Sequence, residues 1–310
     1  MTSSKKYDLA IVGGGIVGYS AAMYAARMGI KTILFEGVGG GELVKTDMVE
    51  NYPGFDKISG YELVKKVMDH AKNYDVEIVS GMVDKVSKKK ECFSLVSDKK
   101  TFSSRTILFA TGAKYKLLGV PGEKEFTTRG VHNCALCDGP FYKNKIAAVV
   151  GGGDSAVKEA LVLSRFVKKV YMIVRSKLRP EPINLEKLKK DKKIQVLLKT
   201  QVKGIQGDKK VESLLLDKKF KGSDVLKLDA VFVAIGHDPI SDLAASVGVI
   251  RNKKKEIKMS KDSETNVKGA FAAGDVGDTK FKQAITGVGE AVKAVYSIYE
   301  YLGNQKIQCS

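Results

Sequence analysis

The stretch Tyr7-Asp-Leu-Ala-Ile-Val-Gly-Gly-Gly-Ile-Val-Gly18 decides the fold. A short apolar strand, Tyr7–Val12, runs into Gly13, Gly15 and Gly18, which stand at GxGxxG spacing. A helix is predicted through Ser20–Met28 and a second strand over Ile33–Glu36. In such a unit the first glycine makes the tight turn, the second lets backbone approach a pyrophosphate, and the third allows close helix–strand packing. The helix N-terminus then offers N–H donors and a favourable dipole to phosphate. The same plan returns later. Ile146–Val150 reads as a strand, Gly151-Gly152-Gly153-Asp154-Ser155-Ala156 as the loop, Val157–Phe166 as a helix and Val170–Val174 as the next strand. One such loop is weak evidence, whereas two correctly placed between strand and helix are strong.

Each copy continues in short strands rich in Val, Ile, Phe and Thr. In the first they fall near Glu77–Val86, Cys92–Ser97 and Thr101–Ser104. In the second they fall near Gln195–Lys199, Gly204–Gln206, Val211–Leu216 and Phe220–Gly222. Apolar strands ending in glycine close the copies at Thr106–Gly112 and Ala230–Gly236, and a third, Ala270–Gly274, follows the second copy. Gln283–Tyr301 reads as a long terminal helix. The expected fold is therefore α/β, with two Rossmann-like three-layer ββα nucleotide-binding domains, the second inserted into the first. The outer domain would comprise residues 1–117 and 244–310, and the inserted one residues 118–243.

The 310 residues suffice for two sizeable cores, and 44% apolar with 28% charged content is ordinary for a globular protein. Leu9–Ala26 is uncharged and long enough to span a membrane, but its four glycines read as strand, turn and helix. No signal-peptide pattern opens the chain, because Asp8 interrupts it, so a cytoplasmic location is expected. The net charge of +18 comes mostly from lysine, with only seven arginines. Runs such as Lys88-Lys89-Lys90, Lys192-Lys193 and Lys253-Lys254-Lys255 lack interleaved aromatics and sit in turn-like contexts, so a nucleic-acid partner is not expected. A positive field would instead speed encounter with an acidic protein, at a rate that falls with salt.

The ends of the second strands discriminate between the two nucleotides. Glu36 can accept hydrogen bonds from an adenosine ribose. At the corresponding place in the second copy stands Val174, followed by Arg175, Ser176, Lys177 and Arg179. A basic cluster in place of an acid favours a 2′-phosphorylated ribose, hence NADPH over NADH.

Between the loops lies Cys134-Ala-Leu-Cys137-Asp138. Zinc would require a second pair or suitably spaced histidines, and His132 is the one imidazole nearby, so no metal site is expected. For redox work the CxxC spacing puts both sulfurs at a helix start, where thiol pKa falls, and Asp138 is placed to move the proton that thiolate chemistry needs. Cys92 and Cys309 stand alone in the sequence and read as spare thiols.

These residues closely resemble the low-molecular-weight thioredoxin reductases over nearly the whole chain. The matching motifs are the first glycine loop, Gly40-Gly41-Glu42-Leu43, Val49-Glu50-Asn51-Tyr52-Pro53-Gly54, Ala110-Thr111-Gly112-Ala113 and the CxxCD. Beyond them come Gly151–Ala156, Ala234-Ile235-Gly236-His237, Ala273-Gly274-Asp275 and Lys282-Gln283-Ala284. The resemblance implies a homodimer that takes FAD in the outer domain and NADPH in the inserted one, and that reduces a thioredoxin-like protein disulfide. Gly13, Gly15, Gly18 and Glu36 would hold the ADP half of FAD. Gly41, Glu42, Asn51, Thr111, Gly112, Asp275, Gln283 and Ala284 would surround its remainder. Gly151, Gly153, Ser155, Ala156, Arg175 and Arg179 would hold NADPH. Cys137 would face the flavin, Cys134 would attack the partner disulfide, and Asp138 would donate or accept the proton. Two departures stand out. Glu42 replaces the family's usual glutamine, and Val174-Arg175-Ser176 with Arg179 keeps only part of the family's His-Arg-Arg…Arg signature. The second opens NADH or a reduced deazaflavin as alternative donors, with a glutaredoxin-like or peroxidase partner as the alternative acceptor.

Overall fold

The computed structural model describes residues 6–37, 39–46 and 49–304. It divides into two compact units. One is drawn from the chain up to Lys114 and from Asp238 onward, and the other is Tyr115–His237. Each crossing is a short strand, Ala113–Tyr115 and His237–Pro239.

In the first unit, Lys6–Val12 is the central parallel strand, flanked by Thr32–Phe35 and by Lys100–Phe109. Val76–Val79 extends the sheet beyond Thr32–Phe35. Burial on both faces makes the inner strands continuous apolar runs, as a covered parallel sheet requires. Lys100–Phe109 serves two partners. Its polar first half pairs antiparallel with Cys92–Ser97, and its apolar second half pairs parallel with Ala270–Ala272. Thr101–Ser104 and Thr106–Gly112, expected as separate strands, therefore form one strand, which ends at Phe109. Arg105 between them is accommodated by an ion pair to Asp8 at 3.0 Å.

Helices Ile16–Arg27 and Ala284–Gly303 cover one face of this sheet. Leu9, Ile11, Tyr19, Leu34, Leu108 and Ile298 form the core there, all fully buried. A further helix, Gly60–Lys72, which the sequence reading passed over, starts in a complete capping box. Ser59 Oγ accepts from the Glu62 N–H, and the Ser59 N–H donates to the Glu62 carboxylate.

The second unit repeats the plan. Its five-stranded parallel sheet runs Ile194–Leu198, Lys169–Val174, Ile146–Val150, Ala230–Val233 and Val131–His132. Helix Asp154–Leu163 packs on one face, and a three-stranded antiparallel sheet, Val202–Gly207, Val211–Phe220 and Ser223–Lys227, caps the other. Phe220 ends the long middle strand of that sheet instead of starting its own. Helix Pro182–Lys190, absent from the sequence reading, begins with proline, whose missing N–H costs nothing at that position. No described helix is long and apolar enough to cross a membrane, and Leu9–Ala26 is the strand, turn and helix of the first loop. Cys92 is disulfide-bonded and so is not a spare thiol, and Cys309 lies outside the described residues.

Candidate active site

The first glycine loop is built from three different demands. At Gly13, φ is +119° and any Cβ would collide with the Ala110 carbonyl. At Gly18, a Cβ would occupy the place of the Gly13 carbonyl oxygen. Gly15 differs: an added Cβ would meet nothing closer than the Gly40 carbonyl oxygen at 3.9 Å. The first and last glycines thus let the protein close on itself, while the middle one leaves open space above the helix start. That helix has no side-chain cap, and a free helix start of this kind is suited to an anion.

The other expected residues of this unit gather around the same helix start. The Gly14 N–H donates to the Glu36 carbonyl at 3.1 Å, and Ser80 Oγ donates to Glu36 Oε2 at 3.1 Å. Gly40 bridges to Gly15, which draws Gly41 (φ +72°) and the turn Glu42–Lys45 against the loop. Asn51 Nδ2 donates to Gln283 Oε1 at 3.0 Å, joining residues 232 positions apart. Gln283 precedes the long helix as its N-cap instead of opening it, so Ala284 is the first helical residue. Thr111 Oγ1 donates to the Ile240 carbonyl at 2.5 Å, and Gly112, at φ +69°, has open space where a Cβ would stand.

Glu290, which no motif singled out, and Lys282, which opens the Lys282-Gln283-Ala284 motif, shape the Gly274-Asp275 turn. Glu290 accepts the Gly274 N–H at 2.8 Å. Lys282 donates to the Asp275 and Gly277 carbonyls and stands 3.4 Å from the buried Glu256 carboxylate. Burial opposes the charge on Glu256, but Asn252 and Lys282 outweigh it and hold the carboxyl below its ordinary range.

The second loop obeys the same logic. A Cβ at Gly151 (φ +149°) would strike the Ala234 carbonyl, one at Gly152 would meet Val174, and one at Gly153 would meet nothing within 4 Å. Ala156 is fully buried where the first loop has Gly18, and Ser155 is exposed. The basic segment is brought onto this loop, because the Arg179 N–H donates to the Gly152 carbonyl at 2.7 Å. Arg175 and Arg179 are exposed.

Asp154, just after the loop, ties it to helix Pro182–Lys190. Its carboxylate lies 2.6 Å from Lys158 Nζ and accepts from the Glu181 N–H and Asn184 Nδ2. Burial opposes its charge, but Lys158 and these two donors prevail and lower its pKa to about 2. A depressed folded pKa gives stability that is present above the ordinary carboxylate range and lost as pH falls towards 2. Asp154→Asn should therefore cost about 1–2 kcal/mol at pH 7. Urea denaturation curves of variant and parent should converge near the acid limit. A difference that persisted undiminished there would show that the carboxylate charge is not the cause.

Cys134 and Cys137 form a disulfide across the one-turn helix Ala135–Asp138, with Cα atoms 5.3 Å apart. Cys134 Sγ accepts the Cys137 N–H at 3.2 Å, and the Ala135 N–H donates to the Glu159 carboxylate. Burial raises the pKa of Glu159, the Ala135 N–H works against this, and the nearby Asp138 charge adds to the rise. Asp138 in turn lies 3.5 Å from His132 Nδ1. The expected pair Cys134–Cys137 and Asp138 are thus together, with His132, Tyr142 and Glu159 around them. His132 and Tyr142 lie close to the pair in sequence, whereas Glu159 comes from a later helix.

Two nucleotide loops and a cysteine pair poised for exchange define a nucleotide-dependent disulfide oxidoreductase. The model of the pyridine nucleotide-disulphide oxidoreductase family matches residues 7–291. The thioredoxin reductase of Bacillus subtilis (strain 168) is 39% identical, over 97% of this chain and 96% of that protein. The thioredoxin reductase of Listeria innocua is likewise 39% identical, over 99% and 97%. The solved thioredoxin reductase of Streptococcus pyogenes MGAS5005 superposes with a TM-score of 0.90 at 35% identity, over 98% of this chain and 100% of that one. The chain belongs to the pyridine nucleotide-disulphide oxidoreductase family, among its low-molecular-weight thioredoxin reductases.

Proposed function

We propose that this enzyme passes electrons from NADPH, through FAD, to the Cys134–Cys137 disulfide and thence to a thioredoxin-like protein. The disulfide on the unit that carries the second nucleotide loop is the observation that supports this most. Bound FAD supplies the two-electron carrier between nicotinamide and disulfide. Gly13, Gly15, Gly18 and Glu36 hold its ADP half in this reading. Gly41, Glu42, Asn51, Thr111, Gly112, Asp275, Gln283 and Ala284 line its remainder. The open faces at Gly15 and Gly112 suit a ligand that approaches backbone closely. Gly151, Gly153, Ser155 and Ala156 take the NADPH pyrophosphate, and Arg175 with Arg179 take the 2′-phosphate, supported by the Arg179–Gly152 bond that sets the basic segment on the loop.

At the dithiol, Cys137 receives electrons and Cys134 delivers them. The Cys134 thiol gives its proton to Asp138, and the thiolate attacks one sulfur of the partner disulfide, forming a mixed disulfide and releasing the partner's other sulfur. Cys137 then loses its proton to the partner thiolate released first and attacks Cys134 Sγ, which closes the enzyme disulfide, and the departing partner thiolate takes the other proton back from Asp138. The net charge of +18 suits an acidic partner. A homodimer working in the reducing cytoplasm completes the reading.

The test is anaerobic reduction of the bound flavin by NADPH, NADH and a reduced deazaflavin in parallel. NADPH should be faster than NADH by at least about tenfold, a single charge-assisted phosphate contact being worth that much. Arg175→Ala with Arg179→Ala should erase the advantage. Equal rates in the parent enzyme would refute NADPH as the donor and favour the alternatives that Ser176 opens by interrupting the basic run.

A further inference from the structure

His132 is held more tightly than packing alone explains. It ends the edge strand Val131–His132 opposite Phe232, and its imidazole is only 9% exposed. The ring centroid lies 5.4 Å from that of Phe232 and 5.3 Å from that of Tyr142. Nε2 is 2.8 Å from the Tyr142 hydroxyl, and Nδ1 is 3.5 Å from Asp138 Oδ2. An edge strand, the dithiol turn and the turn Gly139–Tyr142 after it thus converge on one ring.

The partners assign the tautomer. An ionised Asp138 can only accept, so the proton belongs on Nδ1, and Nε2 then accepts from the Tyr142 hydroxyl. The Tyr142 hydroxyl donates to Nε2, and Nδ1–H faces the acid that adjoins Cys137 at ion-pair distance. We propose that His132 is a positioning residue for dithiol–disulfide exchange, holding the Asp138 carboxylate beside the Cys134–Cys137 turn and spreading its negative charge away from the sulfurs. This rests on the reading of the dithiol as the exchanging pair.

The consequence falls on the reduced enzyme. When Cys134 loses its proton to solvent, as at the pH midpoint of the free reduced enzyme, the turn carries a thiolate beside the Asp138 carboxylate. Any uncompensated negative charge nearby opposes that ionisation. Among the described residues, Glu159, from helix Asp154–Leu163, also reaches this turn, where it takes the Ala135 N–H. Strand Ala230–Val233 presents apolar Phe232 to the ring, and Asp229 before it is engaged with the Ile146 N–H and Lys145. With His132 gone, Asp138 loses the N–H that faces it, and thiolate formation should require higher pH.

The experiment reduces the holoenzyme with its nicotinamide donor and follows iodoacetamide alkylation of Cys134 against pH, resolved by peptide mass. His132→Ala should move the midpoint up by about one pH unit, a tenfold slower alkylation near neutrality. His132→Asn, whose amide N–H falls near the Nδ1 position, should restore most of the parent profile. Tyr142→Phe, which keeps the ring and loses the hydroxyl, should shift the midpoint in the same direction by less. A His132→Ala profile superimposable on the parent would overturn the proposal, as would a His132→Asn profile displaced as far as that of alanine. Should the alanine variant not fold, the Tyr142→Phe profile decides: a shift supports the role and no shift removes it. If neither cysteine becomes alkylatable after reduction in any form, parent included, the dithiol reading itself fails, and that result is distinct from all the others.

Discussion

Cys134→Ser should lower disulfide reduction at least about 10³-fold, because it removes the attacking sulfur and leaves Cys137 with no second cysteine with which to close the enzyme disulfide. The loss should be confined to the disulfide end. Electron flow from the nicotinamide donor to a small dye should continue, since Cys134 stands on the turn Ala135–Asp138 and not in either glycine loop. Cys137→Ser separates the two sulfurs. Cys134 can still attack a disulfide, but no thiol remains to resolve the adduct. Treatment with an aromatic disulfide should leave one mixed disulfide on Cys134, visible by mass. Structural damage is not a competing explanation. The bond closes a loop of only three residues' separation, and Ala135 between the cysteines stays anchored by the fully buried contacts it makes in the core. If Cys137→Ser instead turned over normally, with no trapped adduct, the two-cysteine exchange would be wrong.

What could be read in the chain beforehand follows a physical divide. Ile146–Val150 and Cys92–Ser97 were legible residue for residue, because a buried strand bounded by turn residues carries its own pattern. Helix starts were placed late. Ser20 and Val157 looked like first helical residues, whereas Ile16 and Asp154 are, because Gly15 and Gly153 act as caps within what looked like loop. Helix Gly60–Lys72 did carry a signal, Ser59 with Glu62 three residues on, that a search for glycine motifs passes over. The dithiol and its aspartate were visible as a string. His132 was visible as a neighbour but not its contact with Asp138, and Glu159 was not visible at all, since it reaches the turn from a later helix. The same holds for Glu290, which reaches the Gly274 N–H from the long terminal helix, 16 positions on.

The two glycines of the first loop should respond to alanine in opposite ways, and the contrast tests the nucleotide reading without reference to turnover. In Gly18→Ala, the new methyl would fall on the Gly13 carbonyl oxygen, which is backbone and cannot move aside without opening the loop. Helix propensity favours alanine by about 1 kcal/mol, but overpacking against fixed atoms costs roughly 1–3 kcal/mol and more against backbone. The steric effect wins, and a fall in melting temperature of roughly 5–10 °C is expected. At Gly15 the backbone sits at φ −84° and ψ −175°, where any residue is comfortable, and the methyl would meet only the Gly40 carbonyl oxygen at 3.9 Å and Gly41 Cα at 4.0 Å. The fold should be untouched, or firmer by a few tenths of a kcal/mol through the unfolded chain. Flavin retention, by contrast, should drop by about tenfold or more, because the methyl fills the face that a pyrophosphate must approach. Melting curves with and without added FAD, together with the flavin content of each purified variant, give both readouts. A Gly15→Ala protein that kept its full flavin affinity would mean that the open face above this helix is not the pyrophosphate site.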